Sequence, residues 1–349
     1  MVNIWSLLAW WVTASASAVW GLWGAPPVLI GIPLIAAVVF PALLMRSSPH
    51  RIGARIGVYL SALLANQAPS MISAAWVLLP GHHQHKIAAT ALGLLGTVVC
   101  AVVAVATFVL VRGWVTGGRR WPRPVRASRA AWWPVLGVGA SAATAYLIAL
   151  WLADDSLDWA GQLLGTTPVH YPSAGGGFGA WALETSSSSL AGFVEEPVFV
   201  GLLALLWPRL RARTFVPLAL LSGVARGSIH LYYASGTAHV ATTAALIVLW
   251  SALWSSVALA LIYKTRMLWP VIIAHGLKDA LVTLGGPFTA DTTPLHIMLI
   301  SLPVVMMLII FIIASVYTAP RVVEAALARI SRRWPRVGRW LEGPQKAST

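Results

Sequence analysis

Apolar segments of about twenty residues follow one another along the whole chain, and they constrain its fold more than any other feature. A helix of that length spans the roughly 30 Å hydrocarbon core of a bilayer. Apolar residues make up 58% of the 349 residues and charged residues only 10%, whereas about 25% of a typical globular domain is charged. No polar block between the apolar segments is long enough to form a soluble domain. The sequence therefore predicts an all-α fold, a polytopic bundle of transmembrane helices.

The hydropathy pattern divides the chain into about ten such spans. They cover residues 4–23, 27–45, 57–80, 87–111, 131–153, 187–207, 214–234, 242–263, 267–285 and 295–317. An even number of spans returns the chain to the side from which it started, so both termini are expected on the same side of the membrane.

Basic residues orient the bundle. Most of the 24 Lys and Arg residues fall in the C-terminal tail and in the loops after the second, fourth, sixth and eighth spans, whereas the opposite loops carry Asp154, Asp155, Asp158 and Asp291. Because basic loops remain in the cytoplasm, we expect both termini there (N-in and C-in). The net charge of +14 is then expected to contact anionic lipid headgroups rather than nucleic acid. An Arg-rich tail without an organelle signal favours the plasma (inner) membrane of a bacterium.

Ionisable residues at membrane depth are few, and all of them fall in the sixth, seventh and ninth predicted spans. They are Glu195, Glu196, Arg226, His230, His275, Lys278 and Asp279. An unpaired charge at the bilayer centre costs at least about 2.5–3.5 kcal/mol on insertion scales, so such groups pair with one another and commonly mark a functional site. We therefore expect these three spans to pack together and to enclose one polar pocket.

Helical spacing sorts these side chains into faces. Residues four positions apart lie on one face of a helix, which pairs His275 with Asp279. The same rule pairs Arg226 with His230 on the seventh span. Both pairs are expected to point into the pocket.

The adjacent Glu195 and Glu196 lie about 100° apart around their helix, so they are expected to meet different partners. Pro197 follows them directly. A proline removes a backbone donor and bends a helix, and a bend at membrane depth is tolerated where protein or a water-filled cavity satisfies the freed carbonyl. We expect the sixth span to bend beside the two carboxylates.

Three motifs resemble those of a known family. They are "FVEEPVFVG" at residues 193–201, His230 on the following span, and "HGLKD" at residues 275–279. They are similar to the EExxxR, FxxxH and HxxxN or HxxxD motifs of the CAAX protease and bacteriocin-processing (CPBP or Abi) family, also called type II CAAX prenyl endopeptidases. The resemblance covers about residues 185–290 and implies an intramembrane glutamate protease, a hydrolase that cleaves a peptide or membrane-protein substrate. It divides the chain into five N-terminal helices (residues 1–153), a catalytic core (185–290) and a last span with a basic tail (295–349).

The resemblance also implies a role for each matching residue. Glu195 corresponds to the general base that activates a water molecule with the help of His230. Glu196 completes the acid pair. His275 and Asp279 correspond to the residues that bind the developing oxyanion or orient the network of histidine and water. The family mechanism needs no metal ion or other cofactor.

Two positions depart from the family motifs. Val200 stands where the family has the Arg of EExxxR, and Arg226 stands where it has the Phe of FxxxH. Both positions lie one helical turn, about 6 Å, on the cytoplasmic side of the catalytic level. We predict that Arg226 supplies from the neighbouring helix the cation that Val200 does not, and that it pairs with Glu196. The alternative is that Arg226 only lines water or extends its charge to the membrane surface.

Asp279 is a third point of difference, because the family more often has Asn there. An ionised aspartate accepts hydrogen bonds but cannot donate one to an oxyanion. The donor would then be a protonated Asp279, Lys278 or His275. Lys278 is otherwise expected to balance the charge of Asp279.

Three other interpretations fit parts of the pattern. Two histidines and three carboxylates could bind Zn²⁺, although the chain has no HExxH motif. Intramembrane ionisable groups beside a bent helix could also serve a proton-coupled transporter, although the first half of the chain has no matching set. The departures from the family motifs would also suit a non-catalytic scaffold or immunity protein.

Overall fold

The structure of the protein, a computed structural model, describes residues 3–23, 25–79, 90–117, 132–166, 168, 177–208 and 212–284. Helices account for nearly all of these residues, and no β-strand occurs among them. The predicted all-helical fold is therefore confirmed for this part of the chain. The tenth predicted span (295–317) and the basic tail lie outside the described residues.

Eleven α-helices follow one another in the described residues. They are α1 (Ile4–Gly21), α2 (Pro27–Arg46), α3 (Ile52–Trp76), α4 (Ala91–Thr116), α5 (Trp132–Leu163), α6 (Phe178–Ser189), α7 (Ala191–Glu196), α8 (Leu202–Leu206), α9 (Ala212–Ile229), α10 (Val240–Thr265) and α11 (Trp269–Leu284). A π-helical turn (Pro197–Gly201) joins α7 to α8, and a 3₁₀ turn (Leu231–Ala234) follows α9.

Each of the first nine predicted spans corresponds to a helix, with the sixth span formed by α6, α7 and α8 together. Five segments of the described chain are long and apolar enough to cross a membrane. They are Pro27–Arg46, Ala91–Thr116, Val135–Leu163, Phe178–Leu206 and Val240–Thr265. The protein is therefore an integral membrane protein, whereas the total of ten spans and the orientation of the termini stay predictions.

Several predicted boundaries are wrong by four residues or more. Helix α3 begins at Ile52 instead of residue 57, and α4 ends at Thr116 instead of residue 111. Three further errors concern α5, α6 and α9. The fifth span was expected to end at residue 153, but α5 continues to Leu163 and carries Asp154 within the helix. The sixth was expected to begin at residue 187, but its helix begins at Phe178 and the serines near its end bond to carbonyls of their own helix, as Ser186 Oγ does to Ala182 O at 2.7 Å. The seventh was expected to reach residue 234, but α9 ends at Ile229.

The bend expected at Pro197 takes the form of the π-helical turn between α7 and α8. Single π-helical turns inside helices often accompany functional sites. Helix α3 supports this turn, because the Gln67 side-chain amide donates to the carbonyl of Val194 at 2.9 Å. The Gln67 side chain thus supplies a hydrogen bond to a backbone carbonyl beside the two glutamates. A bent helix at membrane depth requires such a partner for its freed backbone groups.

A close crossing of α7 and α11 fixes the distance between the glutamates and His275. A Cβ atom at Gly192 would lie 2.0 Å from the carbonyl oxygen of Ile272, and one at Gly276 would lie 2.2 Å from that of Ser189. Real Cβ atoms essentially never approach a backbone atom below 3.0 Å. Both positions therefore require glycine, and the two backbones come into direct contact next to the polar residues.

The segment from α7 to α8 is the centre of the fold. Residues 195–206 are all buried, and α3, α4, α9 and α10 pack around the π-helical turn. Helix α11 packs against α7, and α5 packs against both α10 and α11. The residues that carry charge in this segment are therefore surrounded by helices on every side, which limits the partners they can meet.

Candidate active site

Glu196 is completely buried, and both of its carboxylate oxygens have partners. Its Oε2 accepts a hydrogen bond from Arg226 Nη2 at 2.8 Å. Its Oε1 accepts one from the Tyr146 hydroxyl at 2.9 Å and lies 2.8 Å from His275 Nδ1. Partners from α5, α9 and α11 thus meet at one side chain of α7. Charge-assisted hydrogen bonds of this kind are about twice as strong as neutral ones.

Arg226 is equally buried, so the alternative that it extends to the membrane surface is wrong for this structure. Its guanidinium carbon lies 4.4 Å from the ring centre of Trp254 and 5.2 Å from that of Phe199. Its Nη1 donates to the Tyr146 hydroxyl at 3.2 Å. Aromatic faces attract a cation, so Arg226 is held by two rings as well as by the carboxylate of Glu196, the partner that the motif comparison predicts.

Glu195 has a different environment from its neighbour. Its Oε2 lies 3.8 Å from His230 Nε2 and 3.9 Å from Arg226 Nε. These distances are longer than a hydrogen bond, and within the described residues Glu195 Oε2 and both ring nitrogens of His230 have no hydrogen-bond partner. A water molecule can hydrogen-bond to both groups at this separation. Glu195 and His230 therefore keep unused hydrogen-bonding capacity inside the cluster.

A second ion-pair network runs along α11 to α5. His275 Nε2 lies 3.4 Å from Asp279 Oδ2, and Lys278 Nζ lies 3.6 Å from Asp279 Oδ1. The closer partner of Lys278 is Asp154 at 2.8 Å, and this carboxylate also accepts from Trp250 Nε1 at 3.1 Å. Lys278 thus lies between two carboxylates, that of Asp279, its expected partner, and that of Asp154.

Tryptophans of α10 hold both histidines in place. His230 stacks on Tyr233 with ring centres 5.6 Å apart, and the edge of Trp250 meets it at 5.3 Å. His275 meets Trp254 edge to face at 5.0 Å. Aromatic packing of this kind restricts the rotation of each imidazole. The two histidines therefore keep fixed directions relative to the glutamates between them.

The structure brings together all seven ionisable residues that the sequence places at membrane depth. They are Glu195, Glu196, Arg226, His230, His275, Lys278 and Asp279. Sequence reasoning missed Tyr146 and Asp154 of α5 and Trp254 of α10. Asp154 directly follows an apolar run, and that position could have suggested a charge at membrane depth. A tyrosine or tryptophan carries no comparable signal in a chain with 19 tryptophans.

The zinc alternative requires at least three ligands of the cluster to converge on one point. Among the described residues, no group of three or more His, Cys, Asp or Glu side chains could hold a metal ion. Both nitrogens of His275 face carboxylates, and both oxygens of Glu196 are engaged by donors. A zinc ligand must present a free lone pair to the metal, and these side chains already use theirs within the protein.

Comparison with known proteins adds one finding. Residues 177–281 match the model of a family described as type II CAAX prenyl endopeptidase Rce1-like. The predicted resemblance to CAAX proteases is therefore confirmed for this segment, and it supports a protease-like function. Neither the curated proteins nor the solved structures compared with the chain give a match. Tyr146 and Asp154 lie outside the matched residues.

Proposed function

We propose that this chain, which carries a Rce1-like type II CAAX prenyl endopeptidase domain at residues 177–281, is an intramembrane endopeptidase that uses a glutamate base and no metal ion. One observation supports this most directly. Two adjacent glutamates differ in bonding: Glu196 is saturated with donors, whereas Glu195 faces His230 across 3.8 Å. The first suits a structural anchor and the second a general base.

The reaction follows from this arrangement. Glu195 removes a proton from a water molecule that His230 orients, and the water oxygen attacks the carbonyl carbon of the scissile peptide bond. The carbonyl electrons move to its oxygen and form a tetrahedral oxyanion. When this intermediate collapses, the carbon–nitrogen bond breaks and the proton held by Glu195 passes to the leaving amine. The products are a new C-terminal carboxyl group and a free amine.

Charge at the oxyanion is stabilised by His275 in this proposal. Both of its nitrogens lie next to carboxylates, Glu196 on one side and Asp279 on the other. Such a histidine can carry two protons and present a positive charge to the developing oxyanion. Asp279 then acts as the acceptor that holds His275, and it need not donate a hydrogen bond itself.

Arg226 and Tyr146 are positioning residues. They hold Glu196, which in turn holds His275, and the Nε of Arg226 lies 3.9 Å from Glu195. A fixed cation at that distance stabilises an ionised Glu195 before the reaction begins. The arginine on α9 thus supplies what the family obtains from the position of Val200.

The substrate is proposed to be a peptide or a membrane protein, and the family description names a prenylated CAAX sequence as the first one to test. The purified protein, reconstituted in nanodiscs, is incubated with a farnesylated CAAX peptide and with the same peptide without the lipid. Mass spectrometry then measures release of the C-terminal tripeptide. We expect Glu195→Gln to lower the turnover at least 100-fold, as loss of a general base commonly does.

The matched control is Glu184→Gln, the same substitution at a glutamate of α6 that does not belong to the cluster. It is expected to retain wild-type turnover. If neither peptide is cleaved, comparative proteomics of membranes that contain the wild-type or the Glu195→Gln protein searches for another substrate. Identical peptide profiles in the two membranes would reject the protease in favour of a non-catalytic scaffold.

A further inference from the structure

The described helices have two distinguishable ends. At one end, α2 joins α3, α8 precedes α9, and α10 joins α11, and these connections carry basic residues. Contacts show that they lie together. The Arg266 guanidinium donates to the carbonyl of Pro208 at 3.2 Å, and the Trp114 indole donates to that of Ser47 at 3.1 Å. We call this the basic end.

The other end is defined by contacts between the remaining helix termini. Ser235, after α9, donates to the carbonyl of Val77, after α3, at 3.3 Å. The hydroxyls of Thr166 and Thr243 meet beyond the end of α5 and near the start of α10. Acidic residues instead of basic ones mark this end on α5. We call it the acidic end.

Exposure of the site residues rises towards the acidic end. On α9, which runs away from the basic end, the side chain of Arg226 is 0% exposed and His230, one turn further, is 12% exposed. On α11, which runs the same way, His275 is 2% exposed and Asp279, one turn further, is 29% exposed. On both helices, the exposed fraction of the side chains therefore increases towards the acidic end.

Helix α5 repeats this gradient. Tyr146 is fully buried at the level of Glu196, whereas Asp154, two turns nearer the acidic end, is 22% exposed at its side chain. Its partner Lys278 is 14% exposed. On three helices, exposure thus rises from the buried Glu196 and Arg226 pair towards the charged residues nearer the acidic end. We call Asp154, Lys278 and Asp279 the rim of the site. Charged groups at membrane depth need contact with water or with one another, and the rim residues pair with one another while staying partly exposed.

The route from the basic end is closed by apolar packing. All nine residues from Val198 to Leu206 are buried. Leu259 of α10 and Val271 of α11 are fully buried at the same side of the cluster. Protein interiors packed in this way contain few voids large enough for water. In the described part of the chain, the exposed side of the polar cluster is therefore the side that faces the acidic end.

We propose that the active site opens away from the basic loops, which places its entrance on the extracytoplasmic side of the membrane because basic loops face the cytoplasm. The substrate class follows, given the proposed function: a peptide segment that is exposed outside the cytoplasm, either an exported peptide or the outer flank of a membrane protein. In an intact membrane, a cytoplasmic tail such as that of a prenylated CAAX protein does not reach this entrance, whereas a CAAX peptide added to nanodiscs reaches both faces of the protein.

Cysteine accessibility tests the side of entry without any need for catalysis. The single cysteine is first removed by Cys100→Ser, which keeps a small polar partner for the Ser17 hydroxyl 3.3 Å away. Asp154→Cys on α5 and Lys278→Cys on α11 then report the rim from two different helices. Lys264→Cys, exposed on the last turn of α10, reports the basic end. Intact cells or spheroplasts are treated with a membrane-impermeant maleimide, before and after permeabilisation.

We expect the two rim cysteines to react with the maleimide in intact cells. The cysteine of Lys264→Cys should react at least about 10-fold more slowly than these two until the membrane is permeabilised. Labelling of the rim only after permeabilisation would overturn the proposal, and so would labelling of Lys264→Cys from outside, because the basic end would then face outwards. Using two rim positions protects the test against a single variant that fails to fold.

Peptide cleavage separates this inference from the proposed function. An impermeant fluorogenic peptide is added to right-side-out and to inverted membrane vesicles that contain the wild-type protein. Turnover in right-side-out vesicles alone supports both proposals, and turnover in inverted vesicles alone overturns the outward entrance while the protease survives. If the labelling pattern holds and the peptide is cleaved in neither orientation, the outward entrance stands, and the comparison of membrane peptide profiles described above then decides the proposed protease.

Discussion

The buried pair of Arg226 and Glu196 gives the most quantitative prediction. Both side chains are 0% exposed and their charged atoms lie 2.8 Å apart. Removing one partner of a buried pair leaves an uncompensated charge and costs about 3–5 kcal/mol. Arg226→Met should therefore lower the free energy of unfolding by about that amount, and Glu196→Gln should do so similarly. A loss of 3 kcal/mol raises the unfolded fraction on the order of 100-fold.

The double variant Glu196→Gln with Arg226→Met removes both charges and leaves neither uncompensated. Replacing both members of a buried pair by uncharged groups is often close to neutral, so the double variant should be more stable than either single one. We expect a coupling energy of at least about 3 kcal/mol, well above the roughly 0.5 kcal/mol scatter of independent sites. The assay is unfolding in mixed micelles, followed by the fluorescence of the 19 tryptophans.

Arg213→Met is the matched control, because Arg213 lies on the same helix and is exposed. Exposed substitutions away from special contacts usually change stability by less than about 0.5 kcal/mol. Strictly additive losses in the double variant would refute the reasoning, since they would mean that the two charges do not stabilise each other. Wild-type stability of Arg226→Met would refute it as well.

Three further predictions concern the surroundings of this pair. Gly276→Ala places a Cβ atom 2.2 Å from a backbone carbonyl and should cost about 1–3 kcal/mol in thermal unfolding assays, whereas Gly31→Ala, with open space around it, should not destabilise the protein. Asp154→Asn and Lys278→Met should each lower the melting temperature, and the double variant should recover part of that loss. A melting temperature of the double variant below that of both single variants would contradict their pairing. Tyr146→Phe should cost about 1–3 kcal/mol by removing the hydroxyl between the buried carboxylate and guanidinium, and peptide turnover should fall with it; unchanged stability and turnover would count against its positioning role.

The sequence was sufficient to predict the helices and the convergence of three of them. An ionisable group surrounded by apolar residues has few stable arrangements, because it must find a partner of opposite charge. Glu196, Arg226 and His275 had therefore to meet, and helical spacing alone indicated which faces they occupy. The pairing of Arg226 with Glu196 was predicted from two complementary departures, one in each of two motifs.

The contribution of α5 could not be predicted in the same way. Asp154 stands at the end of an apolar run, where hydropathy cannot distinguish the last turn of a helix from the first residue of a loop. Only its contact with Lys278, more than a hundred residues later, reveals that it is part of the bundle. Tyr146 is chemically ambiguous, since a tyrosine in a membrane helix is as compatible with packing as with hydrogen bonding.

Helix α5 has a consequence for any attempt to reduce this protein to a smaller unit. The segment that matches the family, residues 177–281, begins after both Tyr146 and Asp154. Expressed alone, it would retain every motif residue yet lose the hydroxyl bound to Glu196 and the counter-ion of Lys278. The minimal functional fragment must therefore start before α5, and chimaeras that exchange the N-terminal half must carry both side chains with it.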